Sequence, residues 1–464
     1  MDVCRLRPAR RSSRVIVCLN FNTVSFGSPH TAASDSLSRA DYHPPRCPSL
    51  DLLLNSRPFT VQNNSARNNW LTRSVYLYPF AFTILALAGS ITAQDAFAQR
   101  ASHSTSPKIT EALQPFVDSQ ALAGAVTLVA DKDKFLSVDT VGFTDVAAKK
   151  AMPADALFWI ASQSKPVTGA ALMILVDEGK VDLNAPVSKY LPEFNNTWVT
   201  AYRDNDTVLL KRPTRQITVR DCMNHTSGMP FKSDLEQPTL DLLPLRDGIR
   251  SYALTPLNSE PGTKYAYSNA GINTGGRIIE VVSGLKYEDF LDQRLFVPLG
   301  MTDTTFWPNE EQLTRLAKPY KPTADKRGLE ETTISQLRYP LNDRTRQPMP
   351  GGGLFSTASD MGRFCQMVLN RGTLDGKRIL SEAAVATMTS KQTAESIKDG
   401  YGVGWSTQGE SFGHGGALAT NHNIDTKRGL ITIFLVQHAG FPKNGNESQG
   451  AFRKAAEAQF GLAP

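Results

Sequence analysis

Three short groups of residues, in chain order, carry side chains suited to nucleophilic chemistry: Ser162-Gln163-Ser164-Lys165, Tyr267-Ser268-Asn269 and His414-Gly415-Gly416. In the first, Ser162 and Lys165 are spaced i, i+3, which on a helix puts both on one face with Cβ atoms about 5–6 Å apart. A lysine so placed reaches the serine hydroxyl, and burial lowers its pKa so that it can act as a general base. The apolar approach Phe158-Trp159-Ile160-Ala161 and the proline at 166 set the phase. Proline is tolerated in a helix's first turn, where the N–H groups have no intrahelical partner, and disfavoured further in. Ser162 is therefore expected at or just before a helix N-terminus, whose partial positive charge and free N–H groups favour a developing oxyanion. Tyr267 can share the proton relay, either as a phenolate held by Lys165 or as a shuttle to the leaving group. Which of Lys165 and Tyr267 is the principal base depends on burial. Asn269 offers an amide to position an acyl substrate. Gly415 and Gly416, on an expected strand, let a backbone approach closely, and Ala417 would supply a second oxyanion N–H. Side chains, backbone and water complete this chemistry, so no cofactor is expected.

Each residue has a plainer reading. Ser162 could be a helix cap beside a solvated Lys165, Tyr267 a core aromatic, and Asn269 a turn former. The three groups standing together in order decide for catalysis at Ser162, Lys165 and Tyr267 and for substrate positioning at Asn269. His414 stands evenly between substrate contact and packing. A second S-x-x-K, Ser283-Gly284-Leu285-Lys286, follows an apolar helical stretch and carries a helix-stopping glycine, so it reads as a surface turn. His225, His422 and His438 read as structural. There is no C-x-x-C and no H-E-x-x-H among seven scattered histidines, so a metal site is not expected.

The elements that must position these groups follow from periodicity. Residues 108–120 read as an amphipathic helix with Ile109, Leu113, Phe116 and Val117 on one face, although Pro115 is expected to kink or end it. Residues 124–130 and 135–141 read as a β-hairpin around Asp131-Lys132-Asp133-Lys134. A helix runs from the Ser162 region to about Glu178, with Gly179 as its stop. Residues 182–350 look mostly like short helices and long loops. A helix returns after Thr357, with Asp360 three residues on, and ends at Gly372. Short strands follow at 402–407, 411–414, 420–425 and 430–436, then a helix at about 448–459. Strands at both chain ends with helices between imply an α+β fold: one antiparallel sheet built from both ends, flanked by helices, with a mostly helical insertion at about 182–350. The site is expected where the two parts meet.

In its motifs the chain resembles the serine β-lactamase and penicillin-binding protein superfamily, in which S-x-x-K is paired with S-D-N and K-T-G. Tyr267-Ser268-Asn269 in the second slot is similar to class C β-lactamases, D-alanyl-D-alanine carboxypeptidases and family VIII carboxylesterases. The resemblance covers most of residues 108–460 and includes Asn224-His225-Thr226-Ser227-Gly228, Gly351-Gly352-Gly353-Leu354 and Phe412-Gly413-His414-Gly415-Gly416. It implies a β-lactamase/transpeptidase-like fold and acylation of Ser162. The chain departs from the β-lactamase pattern in the third slot, where His414 and Gly415 replace a lysine and a threonine that help hold a β-lactam carboxylate. Hydrolysis of esters or D-amino-acid peptides and amides is therefore expected ahead of β-lactamase activity. The reading from another class is a non-catalytic module that binds penicillin or peptidoglycan in the same pocket.

The 464 residues suffice for one large two-part domain, and the 41% apolar and 20% charged fractions are those of a soluble globular protein. The net charge of +6 is located in residues 1–75, which hold ten Arg and no Lys against four acids. The remainder is nearly neutral, so a nucleic-acid partner is not expected; the partner is a small-molecule or peptide substrate. Residues 1–74 read as an unstructured leader or an over-extended start. Residues 75–98, with Arg73 before an apolar run and Ala96-Phe97-Ala98 at the end, read as a secretory signal segment. The mature protein would begin near Gln99 and be secreted or periplasmic, with the membrane involved only if that segment stays uncleaved. Cys222 and Cys365 fall on apolar stretches and read as core thiols rather than a disulfide.

Overall fold

The computed structural model describes residues 14–16 and 104–461. The expected leader and signal segment lie outside the described residues, apart from Arg14–Ile16, a short strand parallel to Thr207–Leu209.

The central element is a seven-stranded antiparallel sheet. Its strands are β1 (Gly124–Ala130), β2 (Phe135–Asp145), β3 (Lys150–Ala151), β4 (Ser406–Gln408), β5 (Ser411–Gly415), β6 (Asn421–Asp425) and β7 (Leu430–Leu435). They lie in the order β4-β5-β6-β7-β1-β2-β3. The pair that joins the two chain ends is β7 with β1, in register from Ile431 opposite Ala130 to Leu435 opposite Val126. Successive side chains of a strand point to opposite faces. Accordingly Val126, Leu128, Ile431 and Ile433 enter one core while Ala125, Val129, Leu430 and Phe434 enter another.

The second core is covered by α1 (Pro107–Asp118) and the C-terminal helix α5 (Ser448–Phe460). Pro115 neither ends nor splits α1, contrary to the expectation from sequence. Over the first core lie α2 (Ser164–Asp177), α3 (Asn269–Ser283) and α4 (Ala358–Leu369). Thr357 caps α4 by accepting the Asp360 N–H at 3.2 Å, as the sequence pattern predicts. Every residue of α2 from Ser164 to Leu175 is buried. A helix apolar all round belongs inside a domain, and this one can sit there because glycines let its neighbour in. A Cβ on Gly169 would lie 2.1 Å from the Val403 carbonyl oxygen, and one on Gly404 would lie 2.4 Å from that of Lys165.

The inserted region is less helical than its composition suggests. It includes two hairpins, Val199–Arg203 with Thr207–Lys211 and Tyr320–Pro322 with Leu329–Glu331, beside its short helices. The strand expected at 402–407 is confined to Ser406–Gln408, because Gly402 donates its N–H to the Trp405 carbonyl in a turn. The second S-x-x-K is a helix end: Gly284 adopts φ +74 at the C-cap of α3. Cys222 and Cys365 are buried free thiols.

Candidate active site

Ser162 occupies a 3₁₀ turn, Ala161–Gln163, immediately before α2. Ala161 is held at φ +48, a conformation in which an alanine is strained. The surrounding bonds enforce it. The strand Phe158–Trp159 pairs with Phe355–Ser356, and Ile160 donates to the Leu354 carbonyl at 3.0 Å. The two residues between Ser162 and Lys165 are both anchored. Ser164 Oγ donates to the Ala161 carbonyl at 2.7 Å and accepts from Leu354 N–H at 3.1 Å. Gln163 Oε1 accepts from His422 Nδ1 at 2.7 Å.

Lys165, fully buried in the first turn of α2, places Nζ 3.0 Å from Ser162 Oγ, 2.8 Å from Asn269 Oδ1 and 2.5 Å from the Gly351 carbonyl; in the neutral amine the two hydrogens go to Asn269 and Gly351 and the lone pair faces Ser162. No carboxylate is among these partners. Burial alone holds its pKa well below the ordinary lysine range, because the low-dielectric interior disfavours the ammonium form. The Tyr267 ring lies 4.6 Å from Nζ, and its hydroxyl bonds the Ser162 side chain. Burial pushes the Tyr267 phenol well above its ordinary pKa, partly offset by that bond to Ser162. Both shifts act toward the uncharged forms, an amine and a phenol, around one hydroxyl. Such a triad can deprotonate the hydroxyl at the amine and donate a proton from the phenol.

Asn269, the first residue of α3, turns its carboxamide oxygen onto Lys165 Nζ at 2.8 Å. It also lines the cleft. His414 sits at the end of β5, and both ring nitrogens are engaged. Nδ1 lies 2.6 Å from the Gly415 carbonyl, which can only accept, so Nδ1 carries the hydrogen and Nε2 accepts from the Tyr401 hydroxyl at 2.8 Å. Burial, with Lys165 adding to it, pushes the His414 pKa down to about 3. The ring lies beside Tyr267, centroids 6.1 Å apart, and does not line the cleft. Gly416 has to be glycine: a Cβ there would lie 2.1 Å from Thr420 Oγ1 and 2.6 Å from the Ile160 carbonyl oxygen. This close approach brings the residue after it, Ala417, to the rim beside Ser162, where its backbone N–H has no protein partner among the described residues.

The resulting cleft, about 260 Å³, is walled by Trp159, Ala161, Phe231, Met349 and the Gly351-Gly352 backbone, with Ser162, Tyr267 and Asn269 at its polar side. Gln336 is its other polar wall; among the described residues no Lys, Arg, Asp or Glu lines it. Sequence reasoning missed several supports. Gly351, whose carbonyl meets Lys165, is anchored in turn through its N–H, which donates to Asn273 Oδ1 at 2.9 Å. The loop carrying Gln336 and Met349 is tied down by a buried ion pair, Arg346 Nε to Asp241 Oδ2 at 2.7 Å, both side chains almost fully buried. The run of three glycines at 351–353 is a signal that could have pointed to a close approach there; nothing in the spacing points to Arg346 and Asp241. Among the described residues no group of three or more His, Cys, Asp or Glu could hold a metal. No helix there is long and apolar enough to cross a membrane.

Comparison with known proteins agrees with this architecture. The family model described as Beta-lactamase matches residues 109–456. Protein Rv1367c of Mycobacterium tuberculosis is 32% identical over 359 residues, covering 69% of this chain and 87% of that protein. A lovastatin esterase of Penicillium rubens is 27% identical over 382 residues, covering 72% of this chain and 93% of its own length. Among solved structures, simvastatin synthase (LovD) of Aspergillus terreus shares the fold with a TM-score of 0.65 at 20% identity, over 77% of this chain and 100% of that one.

Proposed function

The chain belongs to the β-lactamase family, and we propose that within it this protein is a serine hydrolase of uncharged esters, acting through an acyl-enzyme on Ser162. The observation that carries this reading is the buried Lys165 Nζ, 3.0 Å from Ser162 Oγ and without a carboxylate to keep it charged.

Ser162 Oγ attacks the ester carbonyl carbon while its proton passes to the neutral Lys165 amine, which makes Lys165 the principal base. The oxyanion forms against the N–H groups of Ser162 and Ala417. As the tetrahedral adduct collapses, the C–O bond to the alcohol breaks and the leaving oxygen takes the Tyr267 proton, which Lys165 replaces. Water then attacks the acyl carbon while one of its protons passes to the Lys165 amine; the bond from the acyl carbon to Ser162 Oγ breaks, the acid leaves, and Lys165 returns the proton to Oγ.

The wall chemistry selects the substrate. β-Lactams and peptides ending in D-alanine carry a carboxylate, and the cleft offers no cation to meet it. His414 spends both nitrogens on Gly415 and Tyr401, and Gly415 has no hydroxyl to offer. An apolar acyl group against Trp159, Phe231 and Met349 suits the site better, and the esterase among the relatives is consistent with that choice. Export through the N-terminal signal segment, giving a secreted or periplasmic enzyme that begins near Gln99, is part of the same proposal; Edman sequencing of protein recovered from the native host tests it.

The activity test offers the full chain a nitrophenyl butyrate and, separately, a fluorescent penicillin. Ester turnover with slow or no penicillin release is expected. Rapid penicillin hydrolysis without ester turnover would reverse the substrate order, and binding of penicillin with no turnover of either would favour a non-catalytic module.

A further inference from the structure

The Asn224-His225-Thr226-Ser227-Gly228 stretch has no place in the reaction just described, yet its histidine is fully buried directly behind Tyr267. Tyr267 stands on an irregular segment between a turn and the start of α3, so nothing in regular secondary structure fixes it. Its two chain neighbours are both bonded to one residue. The N–H of Ala266 donates to the His225 carbonyl at 2.8 Å, and the N–H of Ser268 donates to His225 Nδ1 at 3.2 Å. The imidazole packs on the Tyr267 ring, centroids 4.4 Å apart, and its other side meets Tyr401, also at 4.4 Å. Tyr401 is itself held by His414. His225 adopts φ +64, a conformation open to His and Asn at less cost than to most other side chains.

We propose that His225 is the positioning residue of Tyr267: it clamps the backbone on both sides of the tyrosine and backs its ring, so that the phenol meets Ser162 and Lys165 in one orientation. The proposal rests on the reading of Tyr267 as the proton donor to the leaving group. It requires a neutral imidazole with hydrogen on Nε2, since Nδ1 accepts from Ser268. The groups that face the ring are Tyr265, Tyr267, Tyr401, Lys165 and His414, with no carboxylate among them. Burial and the proximity of Lys165 both oppose protonation of His225.

Three variants of the full chain separate the clamp from mere packing. His225→Asn keeps a side-chain acceptor near Nδ1 and tolerates the positive φ; His225→Phe keeps a ring and loses the acceptor; His225→Ala loses both. With the ester substrate, kcat is expected to fall about 100-fold in His225→Ala and His225→Phe, but only about 10-fold in His225→Asn, with KM within about threefold throughout. In 13C-tyrosine spectra the Tyr267 phenol, which titrates above its ordinary range in the wild type, is expected to titrate lower in His225→Ala as water reaches it. Imidazole 15N spectra of the wild type should show the Nε2–H tautomer at His225. If His225→Ala does not fold, the Asn and Phe variants carry the comparison. Equal impairment of Asn and Phe variants, an unmoved Tyr267 titration in folded His225→Ala, or the Nδ1–H tautomer overturns the proposal. Failure of the hydrolase reading shows separately, as wild-type protein in which Ser162 takes no fluorophosphonate label; the tautomer and the Tyr267 titration still decide the clamp.

Discussion

Replacing Lys165 with methionine removes the amine while nearly preserving the volume of a fully buried side chain. Nζ is the atom placed to take the Ser162 proton, at 3.0 Å. Loss of a positioned general base lowers rate by about 10²–10⁴-fold, which is about 3–5 kcal/mol of transition-state stabilisation. The same variant has a stability signature of known sign. It strips Asn269 Oδ1 and the Gly351 carbonyl of a donor, each a cost of about 1–3 kcal/mol for a buried acceptor. It also relieves the burial of an amine whose pKa is depressed on folding. Between that lowered folded pKa and the ordinary value of 10.5 the unfolded chain binds more protons than the folded one, so wild-type stability rises with pH there, by at most about 1.4 kcal/mol per pH unit from this group. Lys165→Met lacks that slope. The assays are kcat/KM for nitrophenyl butyrate across pH and urea denaturation at two pH values inside the window. Wild-type activity should fall as pH drops through the Lys165 pKa, and this limb should be absent from any residual activity of the variant. A variant retaining kcat/KM within tenfold of wild type would refute Lys165 as the base. A stability difference that is constant with pH would refute the neutral-amine argument.

Asn269→Leu deprives Lys165 of its carboxamide acceptor, and kcat for the ester is expected to drop roughly 10–100-fold, as for a lost positioning contact; steady-state kinetics checks it. Gly416→Ala should lower stability by about 1–3 kcal/mol, the usual cost of overpacking, because its Cβ has nowhere to go. Gly415→Ala, whose Cβ would meet nothing nearer than 3.7 Å, should melt within a degree or two of wild type in calorimetry. Arg346→Met leaves Asp241 buried without its cation and is expected to cost about 3–5 kcal/mol in urea denaturation.

The helix that carries Lys165 and follows Ser162 was legible because several local rules agree on it. The i, i+3 spacing, the apolar approach and a proline in the first turn all place Ser162 just ahead of α2, where it lies. The sheet was legible from short apolar strands at both ends of the chain, whose pairing through β1 and β7 only tertiary structure could supply. What spacing could not reveal was the set of long-range partners. Arg346 and Asp241 are 105 positions apart, and burial, not sequence, makes them a pair. His414 read evenly as a ligand contact or a packed ring, since the Tyr401 hydroxyl that engages its Nε2 is visible only in the fold. Pro115 does not end α1 because the burial of Ile109, Leu113 and Phe116 offsets the hydrogen bond that the proline forgoes.

The central claim is that Ser162 becomes acylated with Lys165 as its base. The most direct measurement is intact-mass and peptide-mapping spectrometry of the full chain after brief, acid-quenched exposure to nitrophenyl butyrate, beside Ser162→Ala and Lys165→Met. The account predicts one butyryl group on Ser162 in the wild type, none in Ser162→Ala, and accumulation slowed by about 10²–10⁴-fold in Lys165→Met. Ester turnover in which the butyryl group is found on another residue, or persists undiminished in Ser162→Ala, would contradict it.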